Sequence, residues 1–583
     1  MNQPEHNDQL TLARHSAAHL LAAAVLQVRP EAKPTIGPAI EHGFYYDFDF
    51  GDQPLSETEL PKIEKAMRKL LAGWTAFSHR EVPAAEAREL FKDNLFKLEL
   101  IDEIAKKGEP ITLYIAGGFT DLCRGGHVDN PSKELGAFKL LSLAGAYWRG
   151  DENKPMLTRI YGSLFATEEE LQAHLTMLKE AKERDHRKLG QELDLFTFSP
   201  LVGPGLPLFT PRGTVIRQEL EAYLRSLQEP RGYRQVHIPH IAKGELYKTS
   251  GHWDKFKENL FYVTGKSGEE LVMKPMNCPH HIQVYASRPR SYRDLPLRYA
   301  ETTTIYRDEK PGELLGLARV RSITQDDAHV FCTPEQLREE IATVFGLIRD
   351  FYAAFTFELE PHLSVRDPKT PDKYLGDPIY WDRAEQQLAA ALYDSGMQYK
   401  RDEGEAAFYG PKIDFIATDA LGRRWQLATI QLDFVMPQRF DLTYIDAEGV
   451  KVPPIMIHRA ISGSLERFMA ILLEHYAGAL PLWLSPTQVA VLPISDDQRD
   501  YAQGVEEQLR AAGLRVEIDA RAESIGKKIR DAQQFKIPVM LIIGKKEAAA
   551  QTVALRTRAG GDEGATSVTD VIASLTEQVQ QRA

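Results

Sequence analysis

A charged segment from Glu168 to Gly190 sets the first limit on how this chain folds. Leu171, Leu175 and Leu178 recur at helical spacing, so one narrow face is apolar and the rest is solvated. Such a helix cannot sit at the centre of a large core. It predicts a linker over residues 166–190, a first domain over 1–165, and separate cores after it. With 583 residues and 43% hydrophobic content, the chain supports several domains, each of roughly 100–200 residues.

The first region opens on an Ala- and Leu-rich helix predicted over Leu12 to Val28 and stopped by Pro30, with a further helix over Leu60 to Gly73 and a strand over Ile111 to Ile115. After Pro481 the pattern changes to short alternating signals. Strands are expected at Val489 to Pro493, Leu514 to Ile518, Val539 to Ile543 and Gln551 to Arg558, with helices at Asp496 to Ala512, Ser524 to Phe535 and Val568 to Val579. That predicts a compact α/β domain over 482–583 and leaves 191–481 as the central domain. The fold class expected is α+β multidomain.

Several classes fall away. No run of about 18 apolar residues occurs, and the apolar stretch Ala17 to Val28 follows Glu5, Asp8 and two histidines rather than a basic segment, which argues against a membrane anchor or a secretion signal. Cys123, Cys278 and Cys332 are too few for a disulfide framework, so free thiols in a cytoplasmic protein are expected. The net charge of -12 hides a local excess: Ser524 to Arg558 carries eight basic residues against two acidic ones, a candidate nucleic-acid surface or a solvated face. Gly265-Lys266-Ser267 is not a phosphate loop, because the first glycine of that motif falls on Leu260. A hairpin between Leu260–Val263 and Glu270–Met273 is the better reading.

Two arginines carry the chemistry. Arg307 lies in Tyr306-Arg307-Asp308-Glu309, and Arg467 closes Gly463-Ser464-Leu465-Glu466-Arg467. Planar guanidinium forks stabilise charge spreading over phosphate oxygens, although either arginine alone reads as an ordinary surface residue. Together they resemble motifs 2 and 3 of the class II aminoacyl-tRNA synthetases. The helix Val215 to Leu227 followed by strand-like Tyr233 to Ile241, broken by Pro239, resembles motif 1. The resemblance implies an antiparallel-sheet catalytic domain, a homodimer built on motif 1, Arg307 on the α-phosphate of ATP, and Arg467 near adenine and the γ-phosphate.

Three further segments narrow the family. Met273-Lys274-Pro275-Met276-Asn277-Cys278-Pro279, Thr324-Gln325-Asp326-Asp327-Ala328-His329 and Met456-Ile457-His458-Arg459-Ala460 resemble the zinc-ligand segments of the threonyl-tRNA synthetases. Such separation reveals no metal site by spacing alone. The resemblance implies one Zn2+ per subunit on Cys278, His329 and His458, with an open position for the amino and hydroxyl groups of L-threonine. A metal rejects valine, which has no hydroxyl, but not serine, whose missing methyl is worth only about 1–3 kcal/mol. A second sieve is therefore expected. His15-x-x-x-His19 and Cys123-Arg124-Gly125-Gly126-His127 resemble the editing domain of the bacterial threonyl enzymes and their alanyl relatives, implying hydrolysis of seryl-tRNA(Thr). Those four residues position water and substrate on this reading; a tetrahedral zinc is the alternative.

The same resemblance carries over Glu309 to adenine, Arg319 to the phosphates, Ser464 and Gln426 to the ATP site, and Gln325, Asp327, Tyr409 and Gln431 to the threonyl group. Lys412 is a phosphate or tRNA-end contact, Mg2+ accompanies ATP, and Glu547 and Arg556 read anticodon bases of tRNA(Thr). Three features depart from the pattern. The chain starts almost directly at the editing helix, without the family's ubiquitin-like amino-terminal domain. Ile323 stands where an aromatic stacks on adenine, and His280 adds an imidazole beside the metal segment. The rival readings are a class II synthetase for proline or serine, a synthetase-like tRNA-binding regulator, and an editing hydrolase confined to residues 1–165.

Overall fold

The structure, a computed structural model, describes residues 4–151, 153–266, 268–419 and 422–582. It divides into two compact units between Lys179 and Glu180. The division falls inside the helix Glu168–Glu183, where Leu171 is buried and Leu178 is 36% exposed. A second helix, His186–Glu192, follows, its start capped by the Asp185 carboxylate accepting from the Arg187 N–H at 2.8 Å. The single linker helix expected over 166–190 is thus two helices, because Asp185 offers the backbone a capping bond in place of a continued helical one.

In the first unit the helix Pro4–Val28 lays Ala13, Ala17, Leu20, Leu21, Ala24 and Val25 into the core, among Phe44, Tyr46 and Phe48 of the strand Gly43–Asp49. That strand runs antiparallel to Met156–Phe165, which pairs in turn with Ala137–Tyr147. A separate three-stranded antiparallel sheet, Ser78–Glu81, Thr112–Ala116 and Phe119–Leu122, ends just before Cys123.

The second unit is built on an eight-stranded sheet in the order Arg234–Gln235, Leu297–Tyr306, Ser322–Cys332, Ile455–Ser464, Arg424–Asp433, Lys412–Thr418, Leu359–Val365 and Lys400–Glu403. The two edge pairs are parallel and the interior is antiparallel. Helices Pro211–Gln228, Leu337–Ala353 and Leu465–His475 contribute to its core, and Cys332 is buried with them. Tyr262–Thr264 and Glu270–Met273 form the expected hairpin, with Ser267 outside the described residues.

The C-terminal part is a five-stranded sheet, Val516–Ile518, Val489–Pro493, Val539–Ile543, Thr552–Thr557 and Gly561–Ser567. Its last strand lacks apolar alternation and holds Gly561 and Gly564 at positive φ, so no strand pattern marks it in the sequence. Arg515 donates to the carbonyls of Trp483 and Ser485 and pairs with Glu219, tying this sheet to the helix Pro211–Gln228.

Two helical glycines make opposite demands. A Cβ on Gly213 would lie 1.9 Å from the Leu195 carbonyl oxygen, whereas one on Gly346 would meet nothing within 4 Å. Gly213→Ala is expected to destabilise the intact protein by about 1–3 kcal/mol, and Gly346→Ala to stabilise it by roughly 0.5–1 kcal/mol; chemical denaturation midpoints moving the other way would refute this packing.

Candidate functional site

Strand register builds the central pocket. Side chains alternate along Ser322–Cys332, so Gln325, Asp327 and His329 share a face. His329 pairs directly with His458 on the next strand, and His458 with Gln431 on the one after. Cys278 enters from the first turn of the helix Cys278–Ala286. The sulfur and two imidazole nitrogens of these buried residues lie within 4.8 Å of one another. Asp433 Oδ2 is 2.8 Å from His458 Nε2, and His281 Nδ1 is 2.8 Å from His329 Nδ1, which leaves His458 Nδ1 and His329 Nε2 to face the pocket.

Burial pushes the Cys278 thiol well above its ordinary range and the His329 imidazole well below its own. The donor set suits zinc, and a divalent ion there would displace the thiol proton. Asp327 lies beside it, with Oδ1 3.7 Å from His329 Nε2 and Oδ2 accepting from Asn277 Nδ2 at 3.0 Å. The Tyr409 hydroxyl donates to Gln431 Oε1. His252, which no motif marked, sits with Nε2 3.6 Å from the Cys278 sulfur.

Arg307 is poised next to this pocket. Its guanidinium lies 4.7 Å over the Phe256 ring and 3.1 Å from the Met276 sulfur, and its buried Nε has no hydrogen-bond partner among the described residues. Arg467 leads from the first turn of the helix Leu465–His475, capped by Ser464, and donates to the Ala318 carbonyl at 3.0 Å. Glu309 and Arg319 pair with each other at 2.7 Å. Ile323 stands opposite Ile305. Lys412 and Gln426 both donate to Asp414, Gln426 at 2.6 Å.

In the first unit His15, His19, Cys123 and His127 bring their ligating atoms within 4.8 Å of one another. The outer nitrogen of each imidazole is occupied. His15 Nδ1 donates to the Gly126 carbonyl at 3.0 Å. His127 Nδ1 donates to Ser16 Oγ at 3.2 Å, the Ser16 proton being spent on the Leu12 carbonyl. His19 Nδ1 meets Asp121 at 3.2 Å. Lone pairs on His15 and His127 Nε2 therefore point at the sulfur, 3.6 and 3.3 Å away. Asp121, Lys97 and Tyr46 form a buried hydrogen-bonded group behind the cup and carry no sequence signature. Burial opposes charge on His19, yet Asp121 and Cys123 raise its imidazole to about 9.

Another carboxylate–imidazole cluster, Asp185, His186 and Glu474, is already satisfied: His186 Nδ1 meets Glu474 at 2.7 Å, and Nε2 accepts from the Leu317 N–H at 3.0 Å. In the C-terminal part, Glu547 of the helix Lys545–Ala550 accepts from the Gly544 N–H at 2.9 Å, and Arg556 keeps a buried Nε without a partner among the described residues. The basic surface is smaller than its residue count suggests. Lys528 is buried on the Pro493 carbonyl, and Arg558 is spent on the carbonyls of Lys536, Ala479 and Leu480.

Residues 261–476 match the family described as tRNA synthetase class II core domain (G, H, P, S and T), residues 488–578 the anticodon binding domain, and residues 111–161 the threonyl and alanyl tRNA synthetase second additional domain. Fold and site are those of a class II aminoacyl-tRNA synthetase. The chain is 49% identical over 587 residues to the threonine–tRNA ligase of Gloeobacter violaceus, covering 99% of this chain and 93% of the relative. It is 50% identical over 554 residues to that of Rubrobacter xylanophilus, covering 95% and 86%. A solved structure described as the RNA binding domain of threonyl-tRNA synthetase from Cryptosporidium parvum superposes with a TM-score of 0.65 at 40% identity, over 67% of this chain and 98% of that one. The chain belongs to the threonine–tRNA ligases, with the editing-type domain present. No helix among the described residues is long and apolar enough to cross a membrane.

The cup makes a reactivity prediction. Burial opposes ionisation of Cys123, and the His15 and His127 lone pairs offer a thiolate no donor, but the cationic His19 beside the sulfur brings its thiol well below the ordinary range. Iodoacetamide should alkylate Cys123 at a rate nearly flat between about pH 6 and 8, whereas an ordinary thiol, with a pKa near 8.5, gains up to about tenfold per unit. A normal thiol profile would refute the electrostatics described for the cup.

Proposed function

We propose that residues 191–481 activate threonine with ATP and pass it to tRNA(Thr), and that residues 1–165 hydrolyse seryl-tRNA(Thr). The observation that carries the activation reading is the buried set Cys278, His329 and His458 with Asp327 and Gln431 alongside and Arg307 adjoining. Asp327 receives the ammonium, while Gln325, Tyr409 and Gln431 orient the rest of the amino acid. A threonine carboxylate oxygen attacks the α-phosphorus and pyrophosphate leaves. Arg307 neutralises the charge on the α-phosphate, and Arg467, Arg319, Glu309, Ser464 and Gln426 hold the nucleotide with Mg2+. Adenine then meets Ile323 on one face, a weaker platform than an aromatic ring. A terminal tRNA hydroxyl next attacks the threonyl carbonyl and AMP leaves, with Lys412 near the tRNA end.

The residues that would hold zinc are Cys278, His329 and His458, and when bound the ion distinguishes a hydroxyl from a methyl by ligation. In the editing cup, the His15 and His127 lone pairs position a water at the seryl carbonyl and one of them takes its proton as it attacks; the ester C–O bond breaks, that proton passes to the leaving tRNA oxygen, and serine is released, with Cys123 and His19 beside it. Glu547 and Arg556 read anticodon bases from residues 482–583, and residues 166–190 link the editing domain to the rest. The unpaired edge of Arg234–Gln235 and the helix Pro211–Gln228 support a homodimer. The work of the protein belongs in the cytoplasm.

Two experiments test this. ATP–pyrophosphate exchange should depend on threonine, and Cys278→Ala should lose zinc and exchange together; exchange with proline or serine alone, or full activity without metal, would sink the activation site. His19→Ala should accumulate seryl-tRNA(Thr) while threonine activation stays within about twofold of wild type, since the substitution spares the groups that bind the transition state for activation. Unchanged deacylation removes the cup from the account.

A further inference from the structure

The contact between His329 and His281 admits only two proton arrangements. Their Nδ1 atoms are 2.8 Å apart, so one carries a proton and the other a lone pair. If His281 donates, His329 keeps its own proton on Nε2, the atom that faces the pocket, and cannot ligate a cation. If His329 donates, its Nε2 lone pair is free, and neutral His281 must carry its proton on Nε2. That atom faces Glu301 Oε2 at 4.0 Å. Both are buried, and neither has a hydrogen-bond partner among the described residues. The other Glu301 oxygen accepts from the Ile238 N–H at 3.1 Å, which fixes the direction of the carboxylate.

We infer that His281 and Glu301 form an outer shell to the metal pocket, in which Glu301 orients His281 and His281 holds His329 in the tautomer that presents Nε2 to zinc. This rests on the zinc reading above. His458 is held in the opposite tautomer, with its Nδ1 lone pair presented, by a shorter route: Asp433 accepts directly from its Nε2 at 2.8 Å. The two imidazoles are therefore supported unequally, one by an anion and one through a neutral ring to an anion. A carboxylate–histidine–metal arrangement is the general pattern, and its outer partners govern metal affinity. His281 and Glu301 touch no reacting atom on this assignment; they are positioning residues.

The test is zinc affinity of the full-length protein, measured by competition with a chelator. His281→Ala leaves the His329 Nδ1–H buried without an acceptor and should weaken zinc binding by about 10–100-fold. His281→Asn restores a carbonyl near the Nδ1 position and should recover part of that loss, which a general packing defect would not. Glu301→Gln must turn an amide N–H toward either the Ile238 N–H or the His281 Nε2–H, and should weaken zinc by about tenfold. Cobalt-substituted protein should show a shifted visible spectrum in the His281 variants. Wild-type zinc affinity and cobalt spectra in His281→Ala and Glu301→Gln overturn the outer shell. If Cys278→Ala also keeps wild-type affinity, the metal pocket itself fails with it.

Discussion

The buried carboxylate of Asp326 is the constraint around which the catalytic face is arranged. Between Gln325 and Asp327 the pairing with the strand Ile455–Ser464 slips, and residues 461–463 bulge away from their partners. Asp326 accepts from the backbone N–H groups of Ile461, Ser462 and Gly463 at 2.9–3.1 Å and from the Ser462 hydroxyl at 3.1 Å, while Arg459 supplies the countercharge. Without it, the buried N–H groups of Ile461 and Ser462 would lose their acceptor, each at a cost of about 1–3 kcal/mol, and the half-buried Gly463 N–H would lose its own. Gly463 completes the bend at φ +70°, where a Cβ would sit 2.7 Å from the Leu427 carbonyl. The strand thus ends on Ser464, the helix carrying Arg467 starts there, and Gln325, Asp327 and His329 keep one face.

The sequence made the chemistry legible where residue types recur in order. Arg307, Arg467, Cys278, His329 and His458 were recognisable as a set, although chain spacing alone was silent. The structure explains the silence: His329 and His458 are neighbours because two antiparallel strands align, and sheet register does not depend on the length of chain between them. The same cause hid His252, His281 and Glu301, and in the first unit Lys97 and Asp121. His281 stands three residues after Cys278 on the same helix, but only packing shows that it meets His329; the others sit in no local motif of their own. Periodicity marked the first helix, the helix at Val215 to Leu227 and most of the C-terminal elements, whereas the long interior strands of the eight-stranded sheet were implied only by the resemblance. The strand Gly561–Ser567 was not marked, because an exposed edge needs no apolar alternation.

Hydrogen-bond direction says more about both pockets than distance does. Around Cys123, Gly126 and Ser16 accept from the outer nitrogens of His15 and His127, so the inner lone pairs converge. Around Cys278, Asp433 accepts from His458. The two cups share cysteine and histidine but differ in surroundings. Cys278 is fully buried, whereas Cys123 is partly exposed and has His19 for a cationic neighbour. The first arrangement suits a resident ion, and the second a diffusing ester and a water.

Two arginines bonded to main-chain carbonyls beside the C-terminal sheet have a mechanical consequence. Between the two sheets the chain passes through residues 479–485, where the carbonyls of Ala479 and Leu480 are held by Arg558, that of Leu482 by Gln488, and those of Trp483 and Ser485 by Arg515. A hinge must free its carbonyls to rotate, and this connection has few to spare. Arg582 adds a guanidinium 4.0 Å over the Tyr223 ring. The C-terminal sheet is therefore a fixed outrigger on the catalytic core. The distance from its outer strands to Arg307 is set by the fold, like the span of a caliper.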